Sequence, residues 1–118
     1  DLFGGFSDKS WEGDNLWKSS CRAFLFSIVN SAGLAPMKLP LTGERNGNAV
    51  WCHPSWGPVF GGGRDLYIHD NWNTGKNSYS RLGSSYTLPP GQDKKTFLAG
   101  SEYFLVAEIE VFAVQQQE

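Results

Sequence analysis

A two-residue alternation, and not the 3.6-residue stripe of a helix, organises this chain. CRAFLFSIVN carries it most clearly: Phe24, Phe26 and Ile28 fall on one face, and Ala23, Leu25 and Val29 on the other, interrupted by Ser27. Both faces are apolar, which predicts a central strand covered on both sides. MKLPLT sets an outward Lys38 between inward Met37 and Leu39, and Pro40 removes a ladder donor, so this segment reads as an edge or a strand end. RDLYIHD puts Leu66 and Ile68 on one face and Asp65, Tyr67 and His69 on the other. EYFLVAEIEVFAV alternates Glu108 and Glu110 with Ile109 and Val111, predicting a closing strand with one wet face. A short strand over Leu2–Phe6 and another over AVWCH complete the apolar set.

Turn chemistry separates these runs. Asn30, Ser31 and Gly33 end the first strong strand, and Asn46-Gly47 is a two-residue hairpin signal. Pro54, Gly57 and Pro58 break the chain before a glycine run, and Pro89-Pro90-Gly91 marks a surface loop. Between Leu2–Phe6 and the strong strand the chain reads as a polar loop, with Trp11 and Trp17 folded back as anchors; Asn71 to Ser85 reads as polar and turn-like. The expected architecture is mainly β: a two-layer β-sandwich with at most short helices, in one domain covering residues 1–118.

Composition narrows the function classes. The chain has 118 residues, 40% of them hydrophobic, enough for a sizeable core. Its formal net charge of −2 shows no basic excess and argues against nucleic acid or an anionic membrane as a general partner. No apolar run approaches the ~20 residues that span a bilayer, so a soluble chain is expected. The sequence opens at Asp1 with no charged-then-apolar leader, which reads as a processed product, an excised domain or a truncated chain. Cys21 and Cys52 either form one disulfide, if the chain is secreted, or remain two small buried hydrophobes.

Phe60 to Ser80, FGGGRDLYIHDNWNTGKNSYS, gathers most of the candidate chemistry. Gly61, Gly62 and Gly63 resemble a phosphate cradle only superficially. A P-loop continues into Gly-Lys-Ser/Thr and a helix, whereas here Arg64 and Asp65 lead into a strand. The glycines therefore read as a positive-φ strand-entry turn. Asp65, Asp70, Asn71 and Asn73 supply the hard oxygens that calcium favours, without EF-hand spacing; Asp and Asn equally serve their own turns. Cys52 and His53 are strand neighbours on opposite faces, and Asp65 and His69 lie ~13 Å apart along a strand, so neither pair makes a catalytic dyad. Glu108 and Glu110 sit ~6.6 Å apart on one face, a glycosidase-like separation that an outward strand face supplies routinely. Of the five tryptophans, Trp56 and Trp72 sit in loops and are the better candidates for partner contact.

Together these residues resemble a known family. FGGF at Phe3–Phe6, AFLFSIVN at Ala23–Asn30 and NAVWCHPSWGPVFGGGRDLYI at Asn48–Ile68 are similar to the C-terminal two thirds of a TLDc domain. DNWNTGKNSYSRLGSSY and FLAGSEYFLVAEIEVF extend the likeness over nearly the whole chain, in the flavour of animal TLDc-like proteins with an Asn/Ser-rich loop. The resemblance implies a β-sandwich flanked by short helices, no cofactor, no agreed catalytic mechanism and an intracellular setting. It also implies links to oxidative-stress protection and to the vacuolar proton pump. The family's N-terminal third would precede FGGF, and a sandwich without those strands exposes an edge and an apolar face.

The expectation is therefore a non-enzymatic protein-interaction module, with Trp56, Asp70, Asn71, Trp72, Asn73 and Asn77 as contact residues. Its companion polypeptide would be an N-terminal fragment left by cleavage, a second copy or another subunit. The rival is a secreted small-ligand binder, a lectin or pigment carrier, using Trp56, Trp72, Asp70 and Asn73 for stacking and hydrogen bonds, with or without calcium. A hydrolase based on Glu108 or Glu110 is the third reading.

Overall fold

The computed structural model describes residues 1–8, 16–18, 22–42, 49–52, 58–69 and 72–111, with 16–18 and 52 defined in backbone only. Asn46-Gly47, Trp11 and Cys21 lie outside these residues. Among the described residues nine strands follow in chain order: β1 (Leu2–Phe6), β2 (Leu16–Lys18), β3 (Phe24–Val29), β4 (Met37–Pro40), β5 (Val50–Cys52), β6 (Val59–Phe60), β7 (Leu66–Tyr67), β8 (Ser78–Ser80) and β9 (Tyr103–Phe104). They form a three-stranded sheet of order β1-β3-β4 and a six-stranded sheet of order β2-β5-β6-β7-β8-β9, antiparallel throughout. The expected mainly β, two-sheet fold is what the chain adopts. Among the described residues there is no helix. A single helical turn follows Asp93, where Phe97 N–H donates to the Asp93 carbonyl at 3.1 Å and Gly100 N–H to that of Thr96 at 2.8 Å.

The two sheets share one core. Leu25 and Leu39 from the smaller sheet, with Ala23 just before β3, meet Val50, Phe60, Leu66 and Phe104 from the larger, with Leu82, Tyr86, Phe97 and Leu98 filling in from the loops. Phe3 on β1 bridges the layers by an edge-to-face contact with Phe104, centroids 5.4 Å apart. The FGGF motif is explained by the same packing. A Cβ on Gly5 would lie 2.6 Å from the Phe60 ring, and one on Gly4 would lie 2.7 Å from the Phe26 ring. The two glycines let rings close down on both faces of β1.

Several expectations from the pattern need correction. β3 is central in its sheet, but only its Leu25 and Ser27 face is fully buried; Phe24 and Phe26 are half-buried, and Ile28 and Val29 are 39% and 54% exposed. Trp17, expected in a loop, lies in β2 in register with Trp51. The prolines around position 58 do not prevent β6, which pairs with both β5 and β7. The polar stretch after Asn71 contains β8, where Ser78 and Ser80 are 0% and 1% exposed. Their hydroxyls serve the backbone: His69 N–H donates to Ser78 Oγ at 2.9 Å, and Ser80 Oγ donates to the Asp65 carbonyl at 2.9 Å. Serine fits an interior strand once its hydroxyl is so engaged. RDLYIHD contributes ladder pairing only at Leu66 and Tyr67. The closing strand shrinks to Tyr103–Phe104; residues 105–111 run on without ladder pairing, with Glu108, Glu110 and Val111 exposed.

Candidate interaction surface

The glycine run makes a tight turn into β7. Gly61 takes φ 92° and its carbonyl accepts from Arg64 N–H at 3.0 Å. A side chain at position 61 would collide with the Asp65 carboxylate. That carboxylate is fully buried and accepts backbone amides from Ser84 at 3.1 Å, Ser85 at 3.0 and 3.1 Å, and Tyr86 at 3.0 Å. Burial pushes its pKa above the ordinary range, and the Tyr86, Ser85 and Ser84 amides draw it partly back. Tyr86 is buried beside it; burial, and secondarily the Asp65 charge, push the phenol up, and its hydroxyl donates to the Ala49 carbonyl at 2.7 Å. Asp65 thus ties the glycine turn to the Ser84–Tyr86 loop. Its oxygens, suggested by sequence as cation ligands, are occupied by amide donors.

The same turn aims Arg64 at the outer face of the six-stranded sheet. Arg64 is the described non-glycine residue with positive φ, 57°. Its Nη1 donates to the Tyr79 hydroxyl at 2.8 Å, and its guanidinium lies 5.8 Å from the Trp51 ring centroid and 5.4 Å from that of Tyr67. Register explains the convergence: Trp51 pairs with Val59, Val59 with Tyr67, Tyr67 with Tyr79 and Tyr79 with Tyr103, so one row crosses five strands. Neighbouring rings pack along it, Tyr67–Tyr79 at 5.3 Å and Tyr79–Tyr103 at 5.4 Å. Arg81 stacks over Tyr79 at 4.6 Å, donates from Nε to Glu102 Oε2 at 2.6 Å and from Nη2 to the Tyr103 hydroxyl at 3.1 Å.

The residues expected to make contacts are placed as follows. Trp72 is half-buried, Asn73 and Asn77 are exposed, and the Trp72 carbonyl accepts from Val106 N–H at 3.4 Å. Trp56, Asp70 and Asn71 lie outside the described residues, as do Cys21 and the side chain of Cys52. Among the described residues no group of three His, Cys, Asp or Glu side chains is placed to hold a metal ion, and no helix is long and apolar enough to cross a membrane. Sequence reasoning passed over Arg64, Tyr79, Arg81 and Tyr103. The usable signal was Tyr79 and Arg81 at i, i+2, one face of a strand hidden in a serine-rich stretch.

No curated protein and no solved structure matches the chain. A family model does: that of the TLDc domain matches residues 1–115. The match takes in both sheets, the glycine turn and the buried Asp65 tie, and the chain belongs to the TLDc domain family.

Proposed function

We propose that the chain is a non-enzymatic protein-interaction module that takes a companion polypeptide along the free edge of β1. The supporting observation is the exposed apolar seam there. Among the described residues β1 ends its sheet and β9 ends the other. The Phe3–Phe104 contact holds these two edges side by side. Leu2 on β1 is 56% exposed, its register partner Val29 54%, and Leu105, directly after β9, 52%. A strand supplied by the companion would satisfy the edge amides of β1 and cover these side chains, the mode of β-strand addition. The hydrogen bond from Val106 to Trp72 joins this seam to the loop carrying Trp72, Asn73 and Asn77, which extends the same contact surface.

The test is the subunit composition of the native protein by intact mass and sedimentation, before and after Leu2→Lys with Val29→Lys. A companion that co-purifies with wild type and is lost from the double variant supports the proposal. A native protein that is monomeric, and melts at the same temperature with and without the substitutions, overturns it.

A further inference from the structure

A second surface lies on the outer face of the six-stranded sheet, away from the β1 edge. Arg64 reaches it in a left-handed backbone conformation, which is strained for a non-glycine residue. What it gains is a fixed position: stacked beside Trp51 and Tyr67 and held by the Tyr79 hydroxyl at 2.8 Å. Arg81 is fixed in the same manner, stacked over Tyr79 and held by the Tyr103 hydroxyl, yet its side chain stays 41% exposed. Guanidinium groups immobilised on aromatic rings lose little further entropy when they meet a carboxylate, and Arg and Tyr dominate the energetic centres of protein interfaces.

Arg81 also lines an open depression of about 500 Å³ that includes Gly63, Gly83, Ser84, Lys94 and Lys95. The cations lining it are Arg81, Lys94 and Lys95. The carboxylates facing them are Glu102, 2.6 Å from Arg81 and 4.0 Å from Lys95, and Asp93, which accepts the amides of Lys95 and Thr96 at 2.8 and 3.2 Å. Three positive groups against these two carboxylates leave the depression with one cation in excess, the buried Asp65 behind Ser84 being taken up by backbone amides, although the whole chain carries −2. We propose that this depression and the adjoining Tyr79–Tyr103 rings dock an acidic segment of a partner protein, its carboxylates on Arg81, Lys94 and Lys95 and its apolar side chains on the rings. Nucleic acid fits less well: a short patch on an acidic chain of pI about 5.6 lacks the extended footprint that a phosphate backbone requires. The proposal rests on the interaction-module reading but uses none of the β1 seam.

The experiment titrates the full protein with a labelled Glu/Asp-rich peptide, an isosteric Gln/Asn-rich control and a single-stranded oligonucleotide, by fluorescence anisotropy. The expected result is binding of the acidic peptide alone, weakening as salt rises. Arg81→Gln with Lys94→Gln and Lys95→Gln should weaken it by about tenfold or more. Because Arg81 also holds Glu102 and Tyr103, Lys94→Gln with Lys95→Gln serves as a second variant that leaves those contacts intact, with a loss of at least about threefold expected. Equal binding of the control, unchanged affinity in both variants, tighter binding of the oligonucleotide, or complete displacement of the peptide by inorganic phosphate would each overturn the proposal. Leu2→Lys with Val29→Lys should leave acidic-peptide binding unchanged, which separates failure here from failure at the β1 edge.

Discussion

Asp65 shows at the scale of one residue how this chain uses a buried charge. Three backbone amides, those of Ser84, Ser85 and Tyr86, converge on its two oxygens in a fully buried position. Asp65→Asn would turn an amide NH2 toward these donors, and about 2–3 kcal/mol of stability should be lost in denaturant unfolding. The pH dependence follows from the sign of the shift. The folded-state pKa is raised above the ordinary 3.8, so the stability Asp65 contributes is fully present below that value and lost as pH rises through the folded value. The gap between wild type and Asp65→Asn should therefore widen as pH falls from neutrality toward about 4. Tyr86 is also raised, above an ordinary 10.0, so its contribution persists below that pH and is lost as pH climbs beyond it. In an alkaline titration followed at the tyrosinate absorbance band, one tyrosine should stay protonated until the fold opens; smooth ionisation of all tyrosines would contradict the buried Tyr86–Ala49 hydrogen bond.

At the scale of the element, β1 and β8 show residues of low strand propensity placed where packing requires them. Glycine weakens an isolated strand by its entropy, but here each glycine is the space that a phenylalanine ring fills. Gly5→Ala would bring a methyl group against the Phe60 ring, which is itself buried in the shared core, so neither can move freely. Overpacking of this kind should cost about 1–3 kcal/mol, and Gly5→Ala combined with Phe60→Leu should recover part of it. A Gly5→Ala protein as stable as wild type would contradict the ring-over-glycine account. β8 is the converse case, two buried serines whose hydroxyls complete backbone hydrogen bonds on either side. Polarity is a poor guide to exposure when a side chain is short enough to be satisfied by its own sheet.

For the molecule as a whole, the sheets differ in how completely they are enclosed. The larger sheet is covered by the core on one face and by the arginine–aromatic row on the other, whereas β1 and the residues after β9 meet solvent along one seam. Opening free energies should follow that difference. In native-state hydrogen exchange, amides of β5 to β8 should be the slowest. Those of β1 that point away from β3 and those of residues 105–111 should exchange rapidly in the isolated chain, and the proposed companion, once added, should slow them. Equal protection of β1 and β7 in the isolated chain would speak against an open edge.

The sequence by itself determined the β class, the position of the strongest strands and the role of the glycines, because these rest on local steric rules and on two-residue periodicity. It placed β1, β3 and β4 within a residue or two and read Lys38 outward and Leu39 inward, as they are. Motif spacing also sufficed to recognise the TLDc family. Tertiary structure decided what depends on partners distant in the chain. Asp65 looked like a surface ligand beside turn residues until amides about 20 positions further on enclosed it. The last strand had the alternation of a full-length element, but alternation specifies which face would be buried and cannot supply a neighbouring strand; with none beside them among the described residues, residues 105–111 stay outside the ladders. The arginine–aromatic row was out of reach for the same reason. Trp51, Tyr67, Tyr79 and Tyr103 are scattered over half the chain, and only the register of five strands brings them onto one line.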